Sequence, residues 1–343
     1  MKAVVVTEHG GTEKLELREI DKPAPGPGEV LVQMRAAAVN HLDVWVRRGI
    51  PGVRFPLPLI PGCDGAGVVA APGPGVRDVE PGTRVALQPG LSCGHCASCL
   101  GGDDNLCPDY GILGESRHGT NAQYLAVPRA NLMPIPEKLG FEGAAAFPLA
   151  FLTAWHMAVA RGRIQPGDDV VVHAGASGVG TAAIEIARLH GARVITTVGS
   201  PEKAERVREL GVAHVILYRE TDFAQEVRAI TGKRGVDVIL DHVGTDTWEG
   251  NIRSLARGGR LVVCGATSGH EVTTNLRSLF FKNLSLLGST MGSKSELLRI
   301  LSLIARGELR PIVDRVLPLD EVARAHELLE HRQVVGKVVL KIG

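Results

Sequence analysis

The sequence lacks an excess of charge of either sign. Its 343 residues include 38 Lys and Arg against 37 Asp and Glu, which leaves a formal net charge of +1. Proteins that bind nucleic acid or an anionic membrane surface usually carry a basic surplus. The composition therefore gives no electrostatic reason to expect either partner.

Long hydrophobic runs are also missing. The most apolar region, residues 144–160, is short for a membrane span and contains Pro148, Thr153 and His156, so it predicts a buried helix. The first residues, MKAVVVTEHGG, are typical of a strand and a turn rather than of a secretory signal. We therefore expect a cytoplasmic protein, whose six cysteines are thiols or metal ligands rather than disulfides.

Two halves of the chain differ in pattern, and 343 residues are too many for one typical domain. Before about Phe141, Pro and Gly separate short apolar runs such as Val30–Val39 and Thr83–Leu87, which predicts a small antiparallel barrel or sandwich. After it, strand-like and helical runs alternate, starting with Val170–His173 and Thr181–His190. This alternation predicts an α/β domain with a doubly wound parallel sheet.

A glycine-rich turn follows the first strand of the second half. The sequence Gly-Ala-Ser-Gly-Val-Gly at 175–180 stands directly before a helical run. Glycines in this position let backbone N–H groups approach a pyrophosphate at a helix N-terminus. An ordinary tight turn is the alternative, but the series of βα units favours a dinucleotide site. The residues predicted to bind are Gly175, Ser177, Gly178, Val179 and Gly180.

The end of the next strand bears on the choice of dinucleotide. NAD sites usually have an acidic residue there, which binds the ribose 2′-hydroxyl. Gly199 stands at this position and is followed by Ser200 and Lys203, a hydroxyl and a cation that suit a 2′-phosphate. Ser200 as a helix cap and Lys203 as an ordinary surface cation are the alternative, and the two interpretations are compatible. The pattern favours NADP(H) over NAD(H).

Four cysteines form a compact group with the spacing C-x2-C-x2-C-x7-C. They are Cys93, Cys96, Cys99 and Cys107. Four thiolates satisfy a tetrahedral zinc ion and leave no open position for a substrate. We therefore predict one structural zinc per chain that braces a loop. Nothing else in the chain supports iron–sulfur ligation, the alternative for such a group.

Taken together, these motifs resemble the medium-chain dehydrogenase/reductase superfamily, which includes zinc-type alcohol dehydrogenases and quinone oxidoreductases. The resemblance covers essentially the whole chain and includes PGCDGAGVV at Pro61–Val69, the cysteine group, the glycine turn and the C-terminal GKVVLKI. It implies a GroES-like β-rich catalytic domain, residues 1–151 and 291–343, around a Rossmann dinucleotide-binding domain, residues 152–290.

The same resemblance implies that the family's catalytic zinc site has been lost. Asn40 stands where the alcohol dehydrogenases have their first cysteine ligand, and Cys63 stands where they have histidine. Leu149 lies near the position of the late cysteine, and Leu42 replaces the hydroxyl of the proton relay. An Asn at the Asn40 position is typical of the zinc-free quinone oxidoreductases, although that branch usually lacks a four-cysteine group.

Without zinc, hydrogen-bond donors must stabilise the oxygen that gains charge during reduction. The candidates are Asn40 and His41, with a packing role as the alternative for His41. We expect Asp43 to orient Asn40 or the start of a helix, and Cys63 and Asp64 to line the site.

Further cofactor residues are implied by the resemblance alone. Tyr218 would join Ser200 and Lys203 around a 2′-phosphate, and Lys337 would lie near the cofactor cleft. The positions that would line the nicotinamide and its ribose are Thr153, Val243, Gly265, Ala266 and Ser289.

The sequence thus predicts an NAD(P)H-dependent oxidoreductase that transfers hydride between nicotinamide and a carbonyl, enone or quinone. Two alternatives stay open: an alcohol dehydrogenase whose zinc is held by His41, Cys63 and Asp64, and a protein that binds dinucleotide without turnover. We also expect a homodimer or homotetramer, because the apolar last Rossmann strand within Asn283–Thr290 would otherwise be an exposed sheet edge.

Overall fold

Two units, each with its own sheet and hydrophobic core, make up the chain in a computed structural model that describes residues 1–343. Unit 1 comprises Met1–Leu149, Ser293–Gly307 and Pro311–Gly343, and unit 2 comprises Ala150–Gly292 and Glu308–Arg310. The sequence predicts the division after residues 151 and 290, whereas the units divide after residues 149 and 292.

The N-terminal part of unit 1 is rich in short strands. Its strands are β1 Lys2–Val5, β2 Glu16–Glu19, β3 Glu29–Ala38, β4 Asp64–Pro72, β5 Arg84–Leu87, β6 Gly90–Leu91, β7 Gly111–Ile112, β8 Tyr124–Pro128 and β9 Leu132–Pro134. Its helices are α1 His41–Arg48, α2 Ala97–Leu100 and α3 Phe141–Ala146.

Strands and helices alternate in the middle of the chain. The strands are β10 Asp169–Val172, β11 Arg193–Val198, β12 His214–Leu217, β13 Val236–Asp241, β14 Leu255–Val263 and β15 Ser285–Gly288. The helices are α4 Pro148–Trp155, α5 Gly178–Leu189, α6 Pro201–Arg208, α7 Phe223–Ile230, α8 Thr245–Ser254 and α9 Leu276–Lys282. The C-terminal part of unit 1 adds α10 Lys294–Arg306, β16 Val313–Pro318, α11 Val322–Glu330 and β17 Lys337–Lys341.

A six-stranded sheet forms the centre of unit 2, in the order β12-β11-β10-β13-β14-β15 with every pair parallel. Its strands are apolar on both faces, as expected where helices cover both sides. A cluster that includes Val171, Ile195, Ile239 and Leu261 forms the core. The order turns outward in both directions from β10, which confirms the predicted doubly wound fold.

The sheet of unit 1 has seven strands and is mainly antiparallel. Its order is β16-β17-β3-β4-β5-β9, and β8 pairs with β3. The C-terminal strand β17 pairs with β3, with Val339 opposite Ala38. This pairing brings Lys337, at the start of β17, to the end of β3 from which α1 begins.

One predicted element has a different form. The apolar region 144–160 was expected as a single buried helix, but α3 ends at Ala146, α4 begins at Pro148, and a π-helix follows over His156–Arg161. Pro148 lacks an N–H group and would clash with a preceding helical turn, so it fits only at the start of a new helix.

Candidate functional site

The start of α1 carries the first group of candidate residues. Asn40 precedes the helix in an extended conformation, and its backbone N–H donates to Asp43 Oδ2 at 2.7 Å. A carboxylate in the first helical turn satisfies a free N–H group and interacts favourably with the helix dipole. Asp43 is therefore placed to fix the Asn40 backbone.

The side chain of Asn40 connects the two halves of the candidate site. Its Nδ2 donates to Asp64 Oδ2 at 2.9 Å and lies 3.2 Å from Cys63 Sγ. Its Oδ1 accepts a hydrogen bond from Lys337 Nζ at 2.5 Å. Asn40, Cys63 and Asp64, predicted from a motif comparison, thus come together with Lys337, which was predicted only as a cofactor residue.

Asp64 and Lys337 form an ion pair at the centre of this group. Lys337 Nζ lies 3.0 Å from Asp64 Oδ2, and the two residues are 4% and 0% exposed, respectively. The other carboxylate oxygen, Oδ1, accepts the Leu149 N–H at 2.8 Å. Buried charges are tolerated only when they are paired and hydrogen-bonded, and both conditions hold here.

Gly62 allows the chain to turn into this site. Its φ of +99° lies in the left-handed region, and a Cβ there would come within 2.6 Å of Thr120 Oγ1. That hydroxyl donates to the Asp64 backbone oxygen at 2.8 Å. A side chain at position 62 would therefore displace the segment that carries Cys63 and Asp64.

The surroundings raise the pKa values of two acidic groups. Burial raises the pKa of Asp43 to about 7, although the hydrogen bond from Asn40 and the charge of Lys337 act in the opposite direction. Burial, with the nearby Asp43 and Asp64 carboxylates, raises the pKa of the Cys63 thiol well above its usual range.

His41 differs from the buried group in its exposure. The residue is exposed at the first position of α1. Even so, enough protein surrounds its imidazole to lower the pKa, and the cations of Lys337 and Arg332 add to this effect. Only one group of side chains in the structure has its ligand atoms close enough together to share a metal ion, and that group is the four cysteines of the C-x2-C-x2-C-x7-C motif. The ligand atoms of His41, Cys63 and Asp64 do not form such a group.

The four predicted metal ligands do meet. The Sγ atoms of Cys93, Cys96, Cys99 and Cys107 all lie within 4.8 Å of one another, and the Cys93 and Cys99 Sγ atoms are 3.9 Å apart. Zinc–sulfur bonds of about 2.3 Å in a tetrahedron separate the sulfur atoms by about 3.8 Å. The cysteine group therefore fits a closed zinc site.

Backbone N–H groups point to the sulfur atoms of this cysteine lobe, residues 93–107, and one ion pair joins the lobe to α10. The Cys96 N–H points to Cys93 Sγ at 3.4 Å. Asp104 accepts hydrogen bonds from the Lys294 N–H at 2.8 Å and from Lys294 Nζ at 2.9 Å. This anchor at the first residue of α10 was not predicted, because nothing in the sequence relates positions 104 and 294.

The glycine turn opens α5 as expected. Ser177 is the N-cap residue, and its hydroxyl accepts the Gly180 N–H at 2.9 Å. A Cβ at Gly180 would come within 2.3 Å of the Ala174 oxygen, so only glycine fits there. His242, which no sequence motif indicates, also lies here, with its Nε2 3.1 Å from Ser177 Oγ.

The loops after β13 and β14 bring further predicted cofactor residues together. The Val243 N–H donates to Asp241 Oδ1 at 2.7 Å. A Cβ at Gly265 would lie 3.3 Å from His242, and one at Gly244 would lie 3.0 Å from Ala266. Val243, Gly265 and Ala266 are therefore neighbours, while Thr153 lies buried on α4 and Ser289 lies buried just after β15.

The end of β11 brings position 199 close to Tyr218. A Cβ at Gly199 would come within 2.8 Å of Tyr218 Oη, so the tyrosine occupies the space that an acidic residue would need. Ser200 caps α6 by accepting the Lys203 N–H. The Ser200 hydroxyl also hydrogen-bonds to the Glu202 carboxylate, and this bond lowers the pKa of Glu202.

Two family models match the chain. "Alcohol dehydrogenase GroES-like domain" covers residues 26–137, and "Zinc-binding dehydrogenase" covers residues 178–306. An alcohol dehydrogenase of Geobacillus stearothermophilus is 32% identical over 345 residues, with 100% of both chains covered. A quinone oxidoreductase of Rattus norvegicus is 30% identical and covers 99% of this chain and 97% of its own.

The chain belongs to the medium-chain dehydrogenase/reductase superfamily. The predicted family and the predicted GroES-like and Rossmann architecture are thereby confirmed. This member is an NAD(P)-dependent oxidoreductase, as its sequence predicts.

Solved structures agree with this placement. The structure of an NAD-dependent alcohol dehydrogenase is 52% identical, with a TM-score of 0.96 and full coverage of both chains. A thermostable alcohol dehydrogenase from Pyrobaculum aerophilum, described with bound cobalt and zinc, is 34% identical, with a TM-score of 0.91 and 99% coverage of each chain. In the present chain, no helix has the length and hydropathy needed to cross a bilayer.

Proposed function

We propose that the protein is a reductase that transfers hydride from NADPH to a conjugated enone, a quinone or a related carbonyl compound, without a catalytic zinc. The observation that carries this proposal is the position of Lys337. Its ammonium group is bound to Asn40 and Asp64. These are the positions that the resemblance to the alcohol dehydrogenases matches to catalytic-zinc ligands.

The side chains present do not suit a metal at that place. Both Asp64 oxygens already accept hydrogen bonds, Oδ1 from the Leu149 N–H and Oδ2 from Asn40 and Lys337. The Cys63 thiol is held neutral by burial. A divalent cation here would also meet the positive charge of Lys337 at short range in a buried site. The side chains themselves must therefore stabilise the charge that develops during hydride transfer.

Charge stabilisation is the main task of these side chains. The nicotinamide supplies the hydride when it is bound. As a substrate oxygen gains negative charge, Lys337 offers a fixed positive charge and Asn40 and His41 offer N–H donors. Asp43 holds the Asn40 backbone, and Asp64 holds the Asn40 amide and the Lys337 ammonium in place.

An enone or a quinone suits this arrangement better than a simple alcohol. Reduction spreads the developing charge onto an oxygen that a few donors can stabilise, whereas alcohol oxidation first needs a deprotonated hydroxyl. Leu42 cannot relay that proton. The test is the rate of NADPH oxidation with a conjugated enone and a quinone, compared with the rate of ethanol oxidation.

NADP(H) is the cofactor we propose, on the basis of Gly199, Ser200, Lys203 and Tyr218. Tyr218 fills the place of the acid that would bind a ribose 2′-hydroxyl. The Glu202 carboxylate at Ser200 acts against this preference, because it would repel a 2′-phosphate. The 52%-identical structure is titled NAD-dependent. Paired dissociation constants for NADPH and NADH decide the question.

One structural zinc per chain is proposed for the cysteine lobe. Its support is the sulfur geometry and the lobe's position beside α10. The closed coordination leaves no place for a substrate, so the ion would stabilise the lobe rather than take part in the reaction. The four thiols would stay reduced in the cytoplasm, the compartment that we propose.

Alcohol oxidation is the second candidate function. The 52%-identical alcohol dehydrogenase structure and the metal-bound Pyrobaculum enzyme favour it. It would require His41, Cys63 and Asp64 to rearrange around a second zinc and to displace Lys337. Two zinc equivalents in protein purified without added zinc would support this candidate.

A homodimer or homotetramer formed through β15 is also proposed. The strand lies at the edge of the six-stranded sheet. The neighbouring helix α9 exposes Leu276, Phe280 and Phe281, and Leu286 on β15 is partly exposed as well. Apolar side chains beside an unpaired strand edge are usually covered. Light scattering at micromolar concentration is the test, and a monomer would contradict the proposal.

A further inference from the structure

An open cavity of about 430 Å³ lies in unit 2 among α7, α8 and α9. Ile252 and Arg253, at the end of α8, form one wall just before β14 begins at Leu255. This is the amino-end side of the strand, whereas the glycine turn follows the carboxyl end of β10. The cavity is therefore separate from the proposed dinucleotide site.

Three cations line the cavity: Arg228, Arg253 and Lys282. Arg253 is paired with Asp222 at 3.3 Å. The Arg228 side chain, by contrast, makes no hydrogen bond or ion pair, and it lies near enough to Lys282 to lower the pKa of that lysine, after the larger effect of burial. Positive charge without a carboxylate partner therefore collects on one side of the cavity.

Lys282 also neutralises the end of a helix that would otherwise repel an anion. Its Nζ donates to the backbone oxygens of Ile252, Arg253 and Leu255, at 3.0, 3.1 and 2.9 Å. These carbonyl groups end α8, and a helix C-terminus carries about half a negative charge that would repel an anion. The Lys282 ammonium group neutralises this partial negative charge and leaves a net positive field in the cavity. The Arg228 guanidinium group stays available for direct hydrogen bonds to a ligand.

We infer that this cavity is a second ligand site, which binds a small organic phosphate. Arg228 has the planar donor geometry that recognises phosphate oxygens in pairs, and Ser278 adds a hydroxyl donor on α9. A phosphate monoester carries about −1.5 to −2 charges at neutral pH, which matches the uncompensated charge of the two cations. Ala224 and Ile252 provide an apolar wall for the organic part, and the volume suits a small ligand.

Calorimetric titration with phenyl phosphate tests this inference on the full chain, with NADPH at saturation to fill the dinucleotide site. The ionic strength is held constant, because exposed charges are screened by salt. We expect one binding site per chain. Arg228→Gln should weaken binding about tenfold, the scale of a lost charge-assisted hydrogen bond. Ser278→Ala should weaken it less, and Arg299→Gln, an exposed arginine on α10, should leave it unchanged.

Three results would overturn the inference. Phenyl phosphate could fail to bind the NADPH-saturated protein, Arg228→Gln could bind as tightly as Arg299→Gln, or inorganic phosphate could bind as tightly as phenyl phosphate. The last result would mean an adventitious ion only. A protein that binds phenyl phosphate but not NADPH would leave this site intact and contradict the proposed cofactor instead.

Discussion

Lys337 Nζ lies 3.0 Å from Asp64 Oδ2 in a site where both residues are almost fully buried. Removing one member of such a pair leaves an uncompensated charge, which costs about 3–5 kcal/mol. Lys337→Met should therefore lower the free energy of unfolding by about that amount, and adding Asp64→Asn should restore part of it. Urea denaturation of the single and double variants measures the coupling.

The exposed pair of Arg324 and Glu321 provides the control for this double-mutant cycle. Arg324→Met should change the free energy of unfolding by less than about 1 kcal/mol, because solvent screens such pairs. Equal effects of Lys337→Met and Arg324→Met would show that the buried pair is not a structural unit.

A second prediction concerns pH and Asp43. Burial raises its pKa to about 7 in the folded protein, so the native state holds this proton more tightly than the unfolded chain does. The stability that this proton contributes is therefore fully present below about pH 4, the ordinary pKa of an Asp in an unfolded chain, and is lost as the pH rises through about 7. Asp43→Asn should remove this loss, up to ~1.4 kcal/mol per pH unit for one proton.

Urea denaturation of the wild type and of Asp43→Asn between about pH 4 and pH 8 gives the difference in the free energy of unfolding at each pH. Asp109→Asn, at an exposed position, serves as the control. A difference between wild type and Asp43→Asn that is constant with pH would contradict the raised pKa.

Cofactor choice gives the third prediction. Lys203→Ala should raise the dissociation constant of NADPH more than that of NADH, because only NADPH has the 2′-phosphate. Glu202→Gln should tighten NADPH, since it removes a negative charge beside Ser200. Fluorescence titrations of the wild type and both variants with NADPH and with NADH, at one salt concentration, measure these constants. Equal or tighter binding of NADH by the wild type would refute the NADP preference.

Zinc content gives the fourth prediction. Cys93→Ser should lose the metal and lower the stability, because a structural zinc contributes directly to the free energy of folding. Elemental analysis and thermal unfolding are the measurements. Cys264→Ser, which lies outside the lobe, should keep the zinc. Full zinc occupancy in Cys93→Ser would show that the lobe is not the site.

The sequence allowed much of this architecture to be predicted because local patterns determine it. Alternating apolar runs mark β10 to β15, and the cysteine spacing marks the lobe. The break at Pro148 was missed because the apolar composition on both sides outweighed one residue.

The contacts of the site could not be predicted in the same way, because they depend on pairing between distant segments. Lys337 reaches Asn40 only because β17 pairs with β3. Nothing in the sequence near either residue indicates this pairing. His242 beside Ser177 and Asp104 beside Lys294 were missed for the same reason.

Turnover in protein of known metal content tests the central proposal most directly. With one zinc per chain, the protein should oxidise NADPH with a conjugated enone, oxidise ethanol poorly, and lose about 10²-fold in turnover in Asn40→Ala, the scale for one lost oxyanion donor. Asn275→Ala, which changes a cap residue of α9, should retain full turnover. Two zinc equivalents, with fast ethanol oxidation that chelation abolishes and Cys63→Ser removes, would contradict the account.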